Sequence, residues 1–325
     1  MPRELFYADA IREALQQEMR QDASVYVFGE DVAAYGGVFG VTKDLLSEFG
    51  PMRVRNTPLS EGAILGEAIG AAINGLRPVP EIQFSDFLTT AMSTLVDVAA
   101  SYHYRVHTPL PITIRAPAGG GLHIGNFHSK CLEAWFVHVP GLKVVVPSTA
   151  YDAKGLLIAS IRDNNPVLYF EQKKLYREIK DEVPEESYTV ELGKAAVRRE
   201  GDSISLFTYG SPVYLALEAH RILEEKGIHL EVIDLRTLMP LDKETILASF
   251  KKTNRAIILH EAPKTGGFGG EVAAILGEEA FDDLAAPIIR LGAKHTPVPT
   301  NPVLEEAYLP SVADIVAAAE KLMEY

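Results

Sequence analysis

The chain has 325 residues, of which 47% are hydrophobic and 23% charged. That length and balance suit a soluble globular protein of two ordinary domains. The net charge of −13 is uneven: Glu178 to the end carries 26 Asp and Glu against 15 Lys and Arg, while the earlier residues carry 18 against 16. The second half would repel phosphates, which speaks against nucleic acid and leaves either a basic protein partner or plain solubility. No run of about 18 apolar residues appears, so no membrane span is expected. The first residues also lack the apolar core of a secretory signal. The single cysteine, Cys131, allows no internal disulfide and fits a reducing cytoplasm.

Strand-like apolar runs alternate with helix-periodic stretches. Tyr7 to Arg20 is expected to be helical, Val25 to Phe28 a strand, Glu61 to Asn74 a helix and Pro78 to Ile82 a strand. Next come a helix from Ser93 to Tyr104, strands at Ile112 to Ile114 and Lys143 to Val146, a helix from Ala150 to Asp163, and a strand from Val167 to Phe170. Glu178 to Tyr188 is charged and aperiodic and reads as a linker. A second series follows, with strands at Ser203 to Thr208, His229 to Ile233, Ala256 to Leu259 and Ile288 to Leu291. Helices fall between them, and Ser311 to Met323 is the last. The expectation is an α/β protein with mainly parallel sheets in two domains, residues 1–180 and 196–325, joined by 181–195.

Few local patterns carry chemistry alone. Gly119-Gly120-Gly121 fits neither GxxxxGK[ST] nor GxGxxG and suits a tight turn. It does follow a strand, where ligands of open α/β sheets gather. Glu61 opens a helix apolar on most sides, with Ser60 as a fair N-cap. It reads either as a carboxylate favoured by the helix dipole or as a desolvated carboxyl that exchanges a proton with a ligand. His128 lies on a loop and is either a hydrogen-bonding surface histidine or a general acid–base. His123 and His128 have no Cys or Glu at zinc-site spacing. Cys131 reads as a small buried residue. Ser160 to Pro166 ends a helix with Asp and Asn, which suits an ordinary turn or a hard cation held by oxygens.

In order, the segments resemble one family. They are Phe28 to Val32, Thr57 to Glu61, Pro80 to Phe84, His128-Ser129, Pro140 to Val145, Val232 to Pro240 and His260 to Pro263. Together they resemble the β subunit of the E1 component of branched-chain 2-oxo acid and pyruvate dehydrogenases. The resemblance spans the chain. It implies a pyrimidine-binding domain for thiamine diphosphate followed by a transketolase C-terminal-like domain. By the same resemblance Glu61 matches the glutamate that hydrogen-bonds the cofactor's aminopyrimidine, with Leu59, Gln83 and Phe87 beside it. His128 matches an active-site histidine. Leu110, Ile112, Thr113, Ser160, Asp163 and Asn165 match a structural potassium site, mostly through carbonyls.

The family's Gly-Asp-Gly and later Asn, which hold Mg2+ and diphosphate, have no counterpart: Gly201-Asp202 is followed by Ser203. An E1 α subunit is therefore implied, in an α2β2 heterotetramer. So are contacts with the lipoyl domain and the basic peripheral binding domain of an E2 acyltransferase. The implied activity is oxidative decarboxylation of a 2-oxo acid with acyl transfer to lipoamide. The alternatives are an acetoin dehydrogenase or transketolase-like subunit, or a non-catalytic subunit of the same fold. Two positions depart from the pattern: Lys130 replaces a usual Gln, and Phe87 stands where branched-chain enzymes commonly carry Tyr. Glu81 to Phe84 and His260 to Phe268 look branched-chain-like, which favours 3-methyl-2-oxobutanoate over pyruvate.

Overall fold

A computed structural model describes residues 3–325. It separates into two compact units. The first gathers Met1–Ala118 and Trp135–Leu192; the second gathers Gly119–Ala134 and Gly193–Tyr325. The passage at Leu192 and Gly193 lies inside the stretch expected to be a linker. The assignment of Gly119–Ala134 to the second unit was not legible in the pattern of apolar runs.

In the first unit the strands run Lys143–Val145, Val167–Gln172, Thr113–Ala118, Arg77–Glu81, Val25–Gly29 and Val54–Asn56 across one parallel sheet. Val25–Gly29, Thr113–Ala118 and Val167–Gln172 are buried at every position. Their near-continuous apolar composition reflects a sheet covered on both faces. Helices Tyr7–Gln21 and Ala150–Arg162 pack on each other, and Glu61–Ile73 packs on Arg77–Glu81. The expected helix from Ser93 forms, but Thr94–Ala99 is wound as a π-helix before Ala100–Val106 turns α-helical. Apolar spacing over so short a stretch does not separate the two windings.

Three of these strands carry a buried ion triad. Arg115 donates to Glu171 at 2.6 and 2.9 Å and to Glu81 at 2.5 Å, and Tyr176 donates to Glu171 at 2.5 Å. Burial still pushes Glu81 above the ordinary carboxylate value, although Arg115 opposes it. Removing Arg115 would leave two buried carboxylates uncompensated, the costly way to break such a group.

The charged stretch after Glu178 is tied down. Lys180–Glu182 pairs antiparallel with Glu4–Phe6. The buried Lys154 ammonium donates to Glu13 at 2.6 Å and to the carbonyls of Pro184 and Glu186 at 2.6 and 2.9 Å. Gln17 donates to the Glu185 carbonyl at 2.7 Å.

In the second unit the sheet order is Ile289–Ala293, Ala256–Pro263, Ile204–Thr208, Leu230–Asp234 and Ala196–Arg199. The first four are parallel, and Ala196–Arg199 closes the edge antiparallel. Ile204, Leu206, Leu230, Val232, Ile257 and Leu259 form a core with helices Pro212–Glu224 and Val312–Leu322. The last helix starts from a capping box of Ser311 and Asp314, which satisfies two otherwise orphaned amides. No helix among the described residues is long and apolar enough to cross a membrane.

Candidate active site

Glu61 is the first residue of helix Glu61–Ile73 and is nearly buried. Ser60 occupies the N-cap position without a side-chain capping bond, so the capping expected of it is not made. Instead the Ser60 carbonyl accepts from Ala63 and Ile64 at 3.0 and 2.9 Å. The Glu61 carboxylate thus sits at the positive end of the helix. Thr90 Oγ1 lies 2.8 Å from Glu61 Oε2 and 2.8 Å from the Phe87 carbonyl. A hydroxyl has one proton and two lone pairs. Thr90 can therefore donate to an ionised Glu61, or donate to Phe87 while accepting from a protonated one.

Next to this pair stands Glu30, which directly follows the buried strand Val25–Gly29. Its side chain is 5% exposed, and neither carboxylate oxygen has a hydrogen-bond partner. Burial, then the charges of Glu61 and Asp31, push Glu30 above the ordinary carboxylate value. Gly29 lets the end of its strand lie against Glu81, because a Cβ there would meet the Glu81 carbonyl oxygen at 2.5 Å. Leu59 is 79% exposed although large and apolar. Phe87 stands edge-on to Phe84, with ring centroids 5.7 Å apart, and Gln83 Nε2 approaches Asp31 at 3.5 Å. Leu59, Glu61, Gln83 and Phe87 all belong to the first unit, whereas His128 belongs to the second.

His128 is half-buried, with its amide donating to the Gly125 carbonyl at 3.2 Å. The glycine turn ahead of it is not an anion cradle, because carboxylates already occupy its amides. Gly120 N donates to Glu261, and Gly121 N and His123 N donate to Glu305 at 2.9 and 3.0 Å. His123 Nδ1 lies 2.5 Å from the same Glu305, which is 1% exposed. Gly120 has no room for a side chain: a Cβ would meet Glu305 Oε1 at 2.8 Å. Glu261 also accepts from Ser211 at 2.8 Å. Nearby, Glu133 accepts from Tyr209 at 2.7 Å. Burial pushes Glu133 up to about 7 against that hydrogen bond, and Glu261 adds to the rise. His260 Nδ1 donates to the Ala262 carbonyl, 2.9 Å away, and burial lowers its pKa to about 4, so it is a neutral packing imidazole near neutral pH.

The structure brings together the residues matched to a cation site. Leu110 N donates to the Asn164 carbonyl at 2.9 Å, Val167 N to Ile112 O at 2.9 Å, and Asp163 N to Ser160 O at 3.2 Å. Asn165 N donates to Asp163 Oδ1 at 2.8 Å, and Thr113 opens the strand paired with Val167. Positive charge is already present: Lys143 pairs with Asp163, and Arg77 donates to the carbonyls of Ile161 and Asp163 at 3.0 Å each. The remaining oxygens are mostly neutral carbonyls. Such a donor set beside two fixed cations suits a monovalent ion better than a divalent one.

Glu30 and Thr90 were given no role from sequence. Glu30 did leave a signal, an acid directly after a fully apolar strand run. Thr90 left none, since a threonine acquires this role only through the fold.

Comparison with known proteins accords with this layout. Residues 3–178 match the family of transketolase pyrimidine-binding domains, and residues 193–315 match transketolase C-terminal domains. The 2-oxoisovalerate dehydrogenase β subunit of Bacillus subtilis is 47% identical over 322 residues, 98% of each chain. The pyruvate dehydrogenase E1 β subunit of the same organism is 48% identical over 318 residues, 97% of this chain and 98% of that one. The β subunit of its acetoin:2,6-dichlorophenolindophenol oxidoreductase is 45% identical, covering 99% and 98%. A solved structure described as a split-gene transketolase, an inactive β4 tetramer, superposes with a TM-score of 0.81 at 23% identity over 98% of both chains, a likeness of fold. By sequence along its whole length and by both of its domains, the chain belongs to the β subunits of the E1 component of thiamine-diphosphate-dependent 2-oxo acid dehydrogenases.

Proposed function

We propose that Glu61 is the group through which this subunit activates thiamine diphosphate for decarboxylation of a 2-oxo acid. The observation that carries the reading is the near-buried Glu61 at a helix N-terminus, beside the unpartnered, buried Glu30. The residues fit an aminopyrimidine. Glu61 keeps one carboxylate oxygen clear of Thr90, Leu59 offers an uncovered apolar surface, and Phe87 offers a ring. When bound, the cofactor supplies an electron sink for the bond to the departing carboxylate. Glu61 holds or releases a proton at its free oxygen, and Thr90 follows either protonation state. His128 orients the substrate and takes part in proton transfer during acyl transfer.

An α subunit completes the site in an α2β2 assembly, bringing Mg2+ and the diphosphate cradle. The occupied amides of Gly120, Gly121 and His123 support that division of labour. Carbonyls of Leu110, Ile112, Thr113, Ser160, Asp163 and Asn165 hold K+. The acidic second half docks the basic peripheral binding domain of an E2, whose lipoyl domain receives the acyl group. The compartment is the cytoplasm. Among substrates, 3-methyl-2-oxobutanoate is preferred to pyruvate, on the segments around Glu81 and His260. Acetoin is the second reading, favoured by the 45% identical acetoin-enzyme subunit.

The test is Glu61→Gln, co-purified with the α subunit and assayed with a dye acceptor on 3-methyl-2-oxobutanoate, pyruvate and acetoin. Turnover should fall by roughly 100-fold or more while the tetramer assembles. Wild-type turnover in that variant would refute the role of Glu61, and the wild-type ratios of kcat/KM decide the substrate.

A further inference from the structure

The loop that carries His128 runs from Gly119 to Lys130 and is closed at its mouth, where the Gly119 amide donates to the Lys130 carbonyl at 3.4 Å. Positive φ falls on every second residue of its first half: Gly119 at +89°, Gly121 at +84°, His123 at +59° and Gly125 at +77°. Backbone that alternates in hand turns successive amides to one side and makes a concavity suited to an anion. Here the second unit fills that concavity from within. Glu305, 1% exposed, accepts from Gly121 N at 2.9 Å and from His123 N at 3.0 Å, and lies 2.5 Å from His123 Nδ1. Glu261 takes the Gly120 amide.

His123 is the only one of the four positions with a side chain, and left-handed backbone is costly for it. Its two bonds to Glu305 offset that strain, so the carboxylate fixes the path of the chain at this point. Two residues on, Gly125 lies against Thr300, where a Cβ would meet Thr300 Cγ2 at 2.7 Å. The Gly125 carbonyl accepts the His128 amide at 3.2 Å and closes the four-residue turn that presents the imidazole.

The opposing surface is braced at both ends. Asn301 accepts from Val303 N and Leu304 N at 3.0 and 3.3 Å, and Glu305 N donates to the Asn301 carbonyl at 2.9 Å. At the far end of the same short helix, Lys294 N donates to the Tyr308 carbonyl at 3.1 Å. One segment, Thr300 to Glu305, therefore backs the loop from Gly120 to Gly125.

We propose that Glu305 is a positioning residue for His128: by filling the amide concavity of the loop it sets where the imidazole stands. The inference rests on the reading of His128 as an active-site histidine.

The test uses the assembled α2β2 enzyme and two readouts. Hydrogen exchange follows the loop itself. In Glu305→Gln, peptides covering Gly119 to Lys130 should exchange roughly tenfold faster or more, while those of strand Ile204–Thr208 keep their wild-type rate. The variant loses the charge and turns an amide donor toward another donor. Kinetics follows the consequence. KM for the 2-oxo acid should rise by about tenfold with a smaller fall in kcat, and in a His128→Asn background the same change should have an effect below about twofold. His123→Asn changes an exposed side chain to a type that tolerates left-handed backbone, and should give the same pattern at about threefold in KM. It decides the matter if Glu305→Gln does not assemble. Unchanged exchange in the loop, or losses that multiply beside a defective His128→Asn, would overturn this proposal alone. Wild-type kinetics in His128→Asn would overturn it together with the role given to His128.

Discussion

Two small groups of carboxylates, one in each unit, are held in opposite ways. In the first, Glu30 has no partner on either oxygen and Glu61 is held at one oxygen only. In the second, Glu305 is surrounded by two amides and an imidazole, and Glu261 by an amide and a hydroxyl. A carboxylate with vacant lone pairs in a low-dielectric setting is costly to the fold and open to a ligand. A carboxylate with donors on both oxygens is a strut. Burial alone does not distinguish the two; the count of donors does.

The sharpest test of that contrast is Glu61→Gln. Its turnover should fall on the order of 100-fold to 10,000-fold, with little change in the unfolding midpoint in denaturant. A large stability loss would make Glu61 a strut like Glu305.

The second test is pH. Glu133 is raised to about 7 in the fold from an ordinary value near 4.5. A group raised in this way contributes stability that is fully present below its unfolded value and is lost as pH rises through its folded value. Stability should therefore decline between about pH 4.5 and 7, by on the order of 3 kcal/mol in total from this residue. Glu133→Gln should flatten that decline in chemical denaturation across the same window. An unchanged pH dependence would mean that Glu133 is hydrated in solution.

Third, Glu305→Ala should cost about 2 kcal/mol or more, because the amides of Gly121 and His123 lose their acceptor. Activity per folded enzyme should fall through a weaker hold on the His128 loop, raising KM more than it lowers kcat. Last, Glu30→Gln should reduce turnover only several-fold and flatten the loss of stability as pH rises above the ordinary carboxylate range, since burial raises Glu30 in the fold. An unchanged pH dependence of stability would show that Glu30 is hydrated in solution.

Much of the layout was legible in sequence, for stated reasons. Fully buried parallel strands such as Val25–Gly29, and Val167–Gln172 up to Phe170, write themselves as apolar runs. Glu61 was legible because an acid opens an almost wholly apolar helix. The edge strand Ala196–Arg199 was not, because its alternating half-exposed residues include two arginines and show no apolar run. The anchoring of Pro184 to Glu186 was hidden too, since it depends on a lysine roughly 30 residues earlier that the fold buries. The role of Glu305 was equally silent: its partners are backbone amides of Gly121 and His123, which no side-chain pattern records.

The detour of Gly119–Ala134 bears on how the protein is made. Glu133, the acceptor for Tyr209, and the amides that satisfy Glu261 and Glu305 all emerge from the ribosome before the sheet they serve. The second unit therefore cannot be completed as an autonomous tail. A recombinant fragment beginning at Gly193 would lack its own internal partners, and during synthesis the amides of Gly120, Gly121 and His123 must wait for Glu261 and Glu305, which are translated more than a hundred residues later.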